Sequence, residues 1–254
     1  MRSNSRAYSG NEMEEVVVDI EHLKKSFGRN QVLRDINLKM HKGENLVVLG
    51  KSGSGKSVLI KCLVGLIDPD EGKLTVLGKN ISDLNSGELN AVRKKIGFLF
   101  QSAALYDSMT VRENLEFPLR GDKKMTRVEM DALVMEELKN VGLENAIDKM
   151  PSELSGGMRK RIGLARTLIL KPEIMLYDEP TTGLDPITSK EISRLILDVQ
   201  KKYNTSSIII THDVECARIT ANRIIIIHEG KFVAEGTFQE LVKSEDKWVR
   251  SFFE

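Results

Sequence analysis

Apolar residues fall along this chain in short, mostly β-branched runs. Val16–Asp19, Leu46–Leu49, Ile96–Phe100, Ile174–Tyr177, Ser207–Thr211 and Arg223–His228 each have strand length, and continuous apolar runs of this kind suit strands covered on both faces. Between them the spacing changes to three and four. Lys56–Leu66 sets Val58, Leu59, Cys62, Leu63 and Leu66 on one helical face. Thr126–Val141 opens on a Thr with Glu129 three places on and closes before Gly142, the pattern of a capped amphipathic helix. Helices are also expected from about Gly157 to Leu170, over Thr188–Tyr203 and over Val214–Ala221, and Glu229–Gly230 turns the chain into Lys231–Glu235.

Strand and helix thus alternate, which predicts an α/β fold with a mostly parallel sheet and helices on both faces. Ligands of such sheets bind beyond the carboxyl ends of the strands. The stretch from about Ser102 to Leu154 breaks the rhythm, being helical with no convincing strand, and reads as an inserted subdomain. The expected organisation is a polar tail over 1–14 and one domain over 15–254. Its core takes about 15–101 and 166–254, and its helical subdomain about 102–165.

Composition narrows the class. A chain of 254 residues is ample for one packed core. The net charge of +1 gives no global pull toward nucleic acid, and the basic clusters Arg93–Lys95 and Arg159–Arg161 read as solvated helix faces. Cys62 and Cys216 have no CxxC partner, as expected of structural thiols in a reducing compartment. The N-terminal stretch lacks the apolar core of a signal peptide. No window offers about 18 consecutive apolar residues, so any membrane-spanning part is expected on another chain.

Gly50-Lys51-Ser52-Gly53-Ser54-Gly55-Lys56-Ser57 fits the pattern G-x-x-x-x-G-K-[ST], between an expected strand and an expected helix. Glycines let backbone N–H groups turn around phosphate oxygens, and the helix that follows points its positive end at the same anion. Lys56 is expected to reach the β- and γ-phosphates of ATP and Ser57 to ligate Mg²⁺. The apolar run Ile174–Tyr177 ends in Asp178 and Glu179. Asp178 at the strand tip can hold Mg²⁺ through water, and Glu179 can act as general base on the attacking water. Leu154-Ser155-Gly156-Gly157-Met158 supplies a hydroxyl and two glycines at a helix start, a second anion site. One nucleotide does not need two cradles, so the second suits the nucleotide of another subunit.

These motifs, followed by Gly183-Leu184-Asp185 and Thr211-His212-Asp213, resemble the ABC ATPase family in full motif order, from about Val16 to Leu241. The resemblance implies a P-loop NTPase core with an N-terminal antiparallel β region and a helical insertion. It implies nucleotide contacts from the phosphate loop and Val58 after it, with Phe27 stacked on adenine. By the same likeness Gln101 senses Mg²⁺, Ser155, Gly156 and Gly157 cap the partner's γ-phosphate, Asp185 communicates across a homodimer, and His212 contacts the γ-phosphate. Met158 stands where many members carry Gln.

Leu99–Tyr106, Pro118–Arg120, Met150–Met158 and Leu184–Thr188 are similar to the ATPases of bacterial Mla-type phospholipid transporters, where the Met is at home. That branch implies an integral-membrane permease and a periplasmic Mce-domain substrate-binding protein as partners, no nucleic acid, and a place at the cytoplasmic face of the inner membrane. Tyr106, Met109 and Val111 are expected on or near the permease-facing surface, or else in the local core. Trp248, Phe252 and Phe253 dock on a neighbour or on the chain's own surface. Three alternatives stand beside this reading. One is an import ATPase for amino acids or another small solute. Another is a soluble member acting on nucleic acid or ribosomes, which usually carries long insertions or two ATPase units. The last is a degenerate nucleotide-sensing subunit, against which Lys56, Asp178, Glu179 and His212 all speak.

Overall fold

The computed structural model describes residues 15–120 and 125–253; the expected polar tail lies outside the described residues. The chain opens with two long antiparallel strands, β1 (Val16–Phe27) and β2 (Asn30–His41), followed by β3 (Asn45–Leu49) and helix α1 (Lys56–Leu63). Strands β4 (Glu71–Val76) and β5 (Lys79–Asn80), helix α2 (Ser86–Arg93) and strand β6 (Ile96–Leu99) come next. Helices α3 (Val111–Glu116), α4 (Arg127–Asn140) and α5 (Gly156–Leu168) lead into β7 (Ile174–Asp178). The chain then alternates through α6 (Pro186–Tyr203), β8 (Ser206–Thr211), α7 (Val214–Thr220), β9 (Arg223–His228) and β10 (Lys231–Gly236). It closes on α8 (Phe238–Val242) and α9 (Lys247–Arg250).

The strands form two sheets. The larger runs β10-β9-β3-β8-β7-β6, parallel except for the hairpin strand β10. Its central strands β3 and β8 are buried at every position, as a parallel sheet covered on both faces requires. The smaller sheet, β2-β1-β4-β5, is antiparallel throughout. Because side chains alternate across a strand, Val48 faces α1 and the small sheet while Val47 faces α5, α6 and α7. Helix α1 is therefore sandwiched between the sheets, through Leu59, Ile60, Cys62 and Leu63.

Three expectations on local structure change. Strand β1 runs on to Phe27, and β2 and β4 join it, although charged residues punctuate all three. They form a sheet with one solvated face, where polar side chains alternate with buried ones such as Ile20 and Leu38. Helix α1 stops at Leu63, with Gly65 left-handed at φ 63°; Leu66 is consequently exposed, and Ile60 takes a core place instead. Helix α6 starts at Pro186, two residues earlier than expected, because Asp185 caps it and proline suits the first helical turn.

Between residues 102 and 154 no strand occurs among the described residues. Helix α4 has the expected capping box: Thr126 Oγ1 accepts from the Glu129 N–H, and Glu129 accepts from the Thr126 N–H. Its buried stripe is narrow. Val134 and Leu138 are buried, whereas Val128 and Met135 face solvent. A third core of Val111, Leu115, Val134, Leu138 and Ile162 joins α3, α4 and α5. Of the three residues expected on a permease-facing surface or else in the local core, Val111 is fully buried in this core, Met109 is half-buried, and Tyr106 is exposed and packs on Phe117. The C-terminal aromatics turn inward: Trp248 lies 4.4 Å from the His228 ring, and Trp248, Phe252 and Phe253 pack against the second core. Both cysteines are free and buried.

Candidate functional site

The phosphate loop leaves the carboxyl end of β3 and enters α1. Its glycines answer specific constraints. A Cβ on Gly50 would lie 2.6 Å from the Ile227 carbonyl oxygen. Gly55 has φ 107°, and a Cβ there would lie 2.8 Å from the carbonyl oxygen of Val32; only glycine satisfies both demands. Ser52, Gly53, Gly55, Lys56, Ser57 and Val58 line a cavity of about 300 Å³, which Gln101, Glu179, Thr182 and His212 complete. Gly50 and Lys51 line a neighbouring cavity instead, and Ser54 is buried beneath the loop with its hydroxyl unpartnered. The Lys56 ammonium donates to the carbonyls of Gly50 at 2.6 Å and Lys51 at 3.1 Å, which fixes the side chain along the loop.

Two carboxylates stand at the tip of β7, with opposite surroundings. The Ser57 hydroxyl donates to Asp178 Oδ1 at 3.5 Å. Burial, and then the adjacent Glu179 charge, push the Asp178 carboxyl above the usual range. Glu179 sits in a left-handed backbone conformation, φ 50°, uncommon for a non-glycine residue. Its Oε2 is 2.8 Å from His212 Nδ1 and accepts from the Thr182 hydroxyl at 3.2 Å, while Lys56 Nζ lies 3.5 Å from Oε1. The Thr211 hydroxyl adds a longer contact of 3.4 Å. A carboxylate so fixed is a geometrically defined acceptor at the cavity wall, as a general base must be.

The donor set also bears on a cation. Among the described residues no group of three His, Cys, Asp or Glu side chains could hold a metal ion. The cavity wall offers the Ser57 hydroxyl and the exposed Gln101 side chain, with the Asp178 carboxylate behind Ser57. Mg²⁺ is held in that manner, by one or two protein oxygens together with substrate phosphates and water, so the residues fit it.

The remaining expected residues lie around this centre and not in it. Ser155 caps α5, its hydroxyl accepting from the Met158 N–H at 3.2 Å. Gly156 lines a second cavity of about 290 Å³, which shares Gln101 and Thr182 with the first. A Cβ on Gly157 would meet the Thr188 methyl at 2.5 Å, so the helix start must be bare there. Asp185 caps α6, accepting from the Ile187 and Thr188 N–H groups at 3.0 Å each, and its carboxyl lies below the usual range because of Thr188. Phe27 ends β1 half exposed, with Lys25 Nζ 5.5 Å from its ring. Sequence reading missed Val32, Thr182, Thr211 and Lys160. Thr211 stood beside His212 in a motif, and Lys160 lay in the Arg159–Arg161 cluster expected to be a solvated helix face, which its burial contradicts.

Comparison with known proteins points to one family. Residues 33–182 match the family model described as ABC transporter. A probable ribonucleotide transport ATP-binding protein, mkl, of Mycobacterium leprae is 40% identical over 93% of this chain and 68% of its own length. The intermembrane phospholipid transport system ATP-binding protein MlaF of Haemophilus influenzae is 37% identical over 94% of this chain and 91% of its own. A methionine import ATP-binding protein, MetN, of Clostridium tetani is 39% identical over 89% and 70%. A dimeric bacterial ATP-binding cassette, solved in a post-hydrolysis state with ADP and phosphate, superposes with a TM-score of 0.80 at 32% identity, covering 88% of this chain and 99% of that one.

Proposed function

The chain belongs to the ABC transporter family as an ATP-binding and ATP-hydrolysing subunit, and from that premise we propose that it powers phospholipid transport between the inner and outer membranes. It works as a homodimer on the cytoplasmic face of the inner membrane, beneath an integral-membrane permease that delivers lipid to or from a periplasmic Mce-domain protein. The observation that carries the lipid assignment is the likeness to MlaF over nearly the whole of both chains. Among the described residues no helix is long and apolar enough to cross a membrane.

In this reading ATP lies along the phosphate loop with its base on Phe27. The loop backbone from Gly50 to Ser57, continued by Val58, cradles the phosphates. Lys56 turns its ammonium from the Gly50 and Lys51 carbonyls toward the β- and γ-phosphate oxygens, which also loosens its hold on Glu179. Ser57, Gln101 and, through water, Asp178 would hold Mg²⁺, whose charge would offset that developing on the phosphate oxygens. Glu179 accepts the proton of the attacking water, and His212 holds its carboxylate and the γ-phosphate in register. Ser155, Gly156 and Gly157 close over the nucleotide of the other subunit, and Asp185 reports that closure across the dimer. Catalysis is positioning and charge stabilisation of an in-line attack.

A second reading has a specific observation behind it: the MetN likeness supports an importer of amino acids or another small solute. Purifying the tagged chain from its own membranes, and identifying the bound chains and lipids by mass spectrometry, separates the two. Phospholipid with a permease and an Mce-domain chain is expected. A soluble amino-acid-binding protein, with no enriched lipid, would overturn the lipid assignment.

A further inference from the structure

Lys160, on α5, is only 5% exposed, and lysines are almost never so buried unless paired. Among the described residues no carboxylate lies within ion-pair distance of it. Its ammonium instead donates to two backbone carbonyls, those of Gln101 and, at 3.2 Å, Glu179. Burial draws its pKa below that of an ordinary lysine, while the nearby Asp178 and Glu179 charges oppose the shift.

Those two carbonyls belong to different loops, one leaving β6 and one leaving β7, and the helix that carries Lys160 begins at Ser155. One ammonium therefore ties three segments of the site together. Its hold on Glu179 matters most, because that residue is in the left-handed region. The Glu179 N–H donates to the Ile210 carbonyl at 2.9 Å and its carbonyl accepts from Lys160, so its backbone is held on both sides. Without the ammonium, the Gln101 carbonyl loses its donor and the Glu179 carbonyl keeps only the Thr182 N–H at 3.3 Å, so the strained backbone at Glu179 can relax.

We propose that Lys160 is a positioning residue for ATP hydrolysis: its ammonium clamps the Gln101 and Glu179 loops to the start-of-helix cradle, and so sets where the Glu179 carboxylate stands. The role rests on Glu179 as general base. Misplacing a reacting group by about 1 Å can lower turnover roughly 100-fold, so the effect belongs in kcat and not in ATP affinity.

The test uses the assembled complex purified from membranes, carrying Lys160→Met, Lys160→Arg, Glu179→Gln or the Lys160→Met/Glu179→Gln pair. Hydrolysis rates and binding of a fluorescent ATP analogue are measured on each. Lys160→Met is expected to lower kcat roughly 10- to 100-fold with the analogue's Kd within about threefold, and Lys160→Arg, which keeps a buried donor, to recover most of the rate. In the Glu179→Gln background, Lys160→Met should lower the residual rate less than about threefold, as groups acting as one unit do. Unchanged kcat in Lys160→Met, or losses that multiply in the double variant, would overturn the proposal. Near wild-type hydrolysis by Glu179→Gln would instead overturn the general-base reading beneath it. If Lys160→Met does not fold, Lys160→Gln, with a shorter reach and an amide donor, carries the same comparison.

Discussion

Asp178 keeps its proton to a higher pH than an ordinary aspartate, first because it is buried and then because Glu179 is beside it. The sign of the consequence follows from linkage. A carboxyl whose folded pKa is raised favours the folded state below its unfolded value of about 3.9, and loses that favour as pH rises through the folded value. At neutral pH the charge at Asp178 therefore opposes folding until a cation joins it. Asp178→Asn should raise the melting temperature of the nucleotide-free protein, by ~2–4 °C for each kcal/mol of relief, while abolishing Mg²⁺-dependent hydrolysis. Differential scanning fluorimetry at pH 7 checks the first part; a lowered melting temperature would contradict it. Lys56, Asp178 and Glu179 were legible in the sequence because each stands in a local motif whose spacing is its chemistry, and His212 was reached only through the family resemblance. Thr182 and Lys160 were not legible. They reach the site through a hydroxyl and an ammonium placed by tertiary structure, and Val32 comes from a strand whose alternating pattern hid it.

At the scale of elements, the junction between α4 and α6 rests on a buried polar group. Glu137 is fully buried on α4, and burial pushes its carboxyl above the usual range. The Tyr203 hydroxyl, at the end of α6, donates to Glu137 Oε1 at 2.9 Å, and the Asn140 amide reaches both Glu137 at 3.0 Å and Tyr203 at 2.6 Å. The latch thus ties the helical region to the sheet-bearing core at one point. Tyr203→Phe keeps the ring and removes the donor, leaving a buried carboxylate short of one partner. A loss of about 1–3 kcal/mol is expected, seen as a lower midpoint in urea with an unchanged m-value. An unchanged midpoint would show that the junction is held by packing alone. Sequence located α4 from its capping box and α6 to within two residues of its start, yet it could not find the latch, since Glu137 and Tyr203 stand on faces that read as polar. For the same reason the antiparallel strands β2 and β4 escaped a reading tuned to continuous apolar runs.

For the whole molecule, the proposed dimer sets the phosphate loop and the two carboxylates at the tip of β7 in one copy against the helix start at Ser155–Gly157 of the other. Within one chain the phosphate loop and Gly156 line different cavities that meet at Gln101 and Thr182, and in the proposed dimer a second copy supplies the facing half. The motif order in the sequence already implied this division. The structure adds that Lys160 donates to the Gln101 and Glu179 carbonyls from the helix that follows Ser155, and that the Glu179 carboxylate lies against Lys56 and His212. The most direct measurement is light scattering of the Glu179→Gln protein with Mg²⁺ and ATP, together with analysis of the retained nucleotide. A stable dimer holding two intact ATP molecules, with hydrolysis lost, is the predicted result. A monomer that turns over ATP at near wild-type rate would contradict the account.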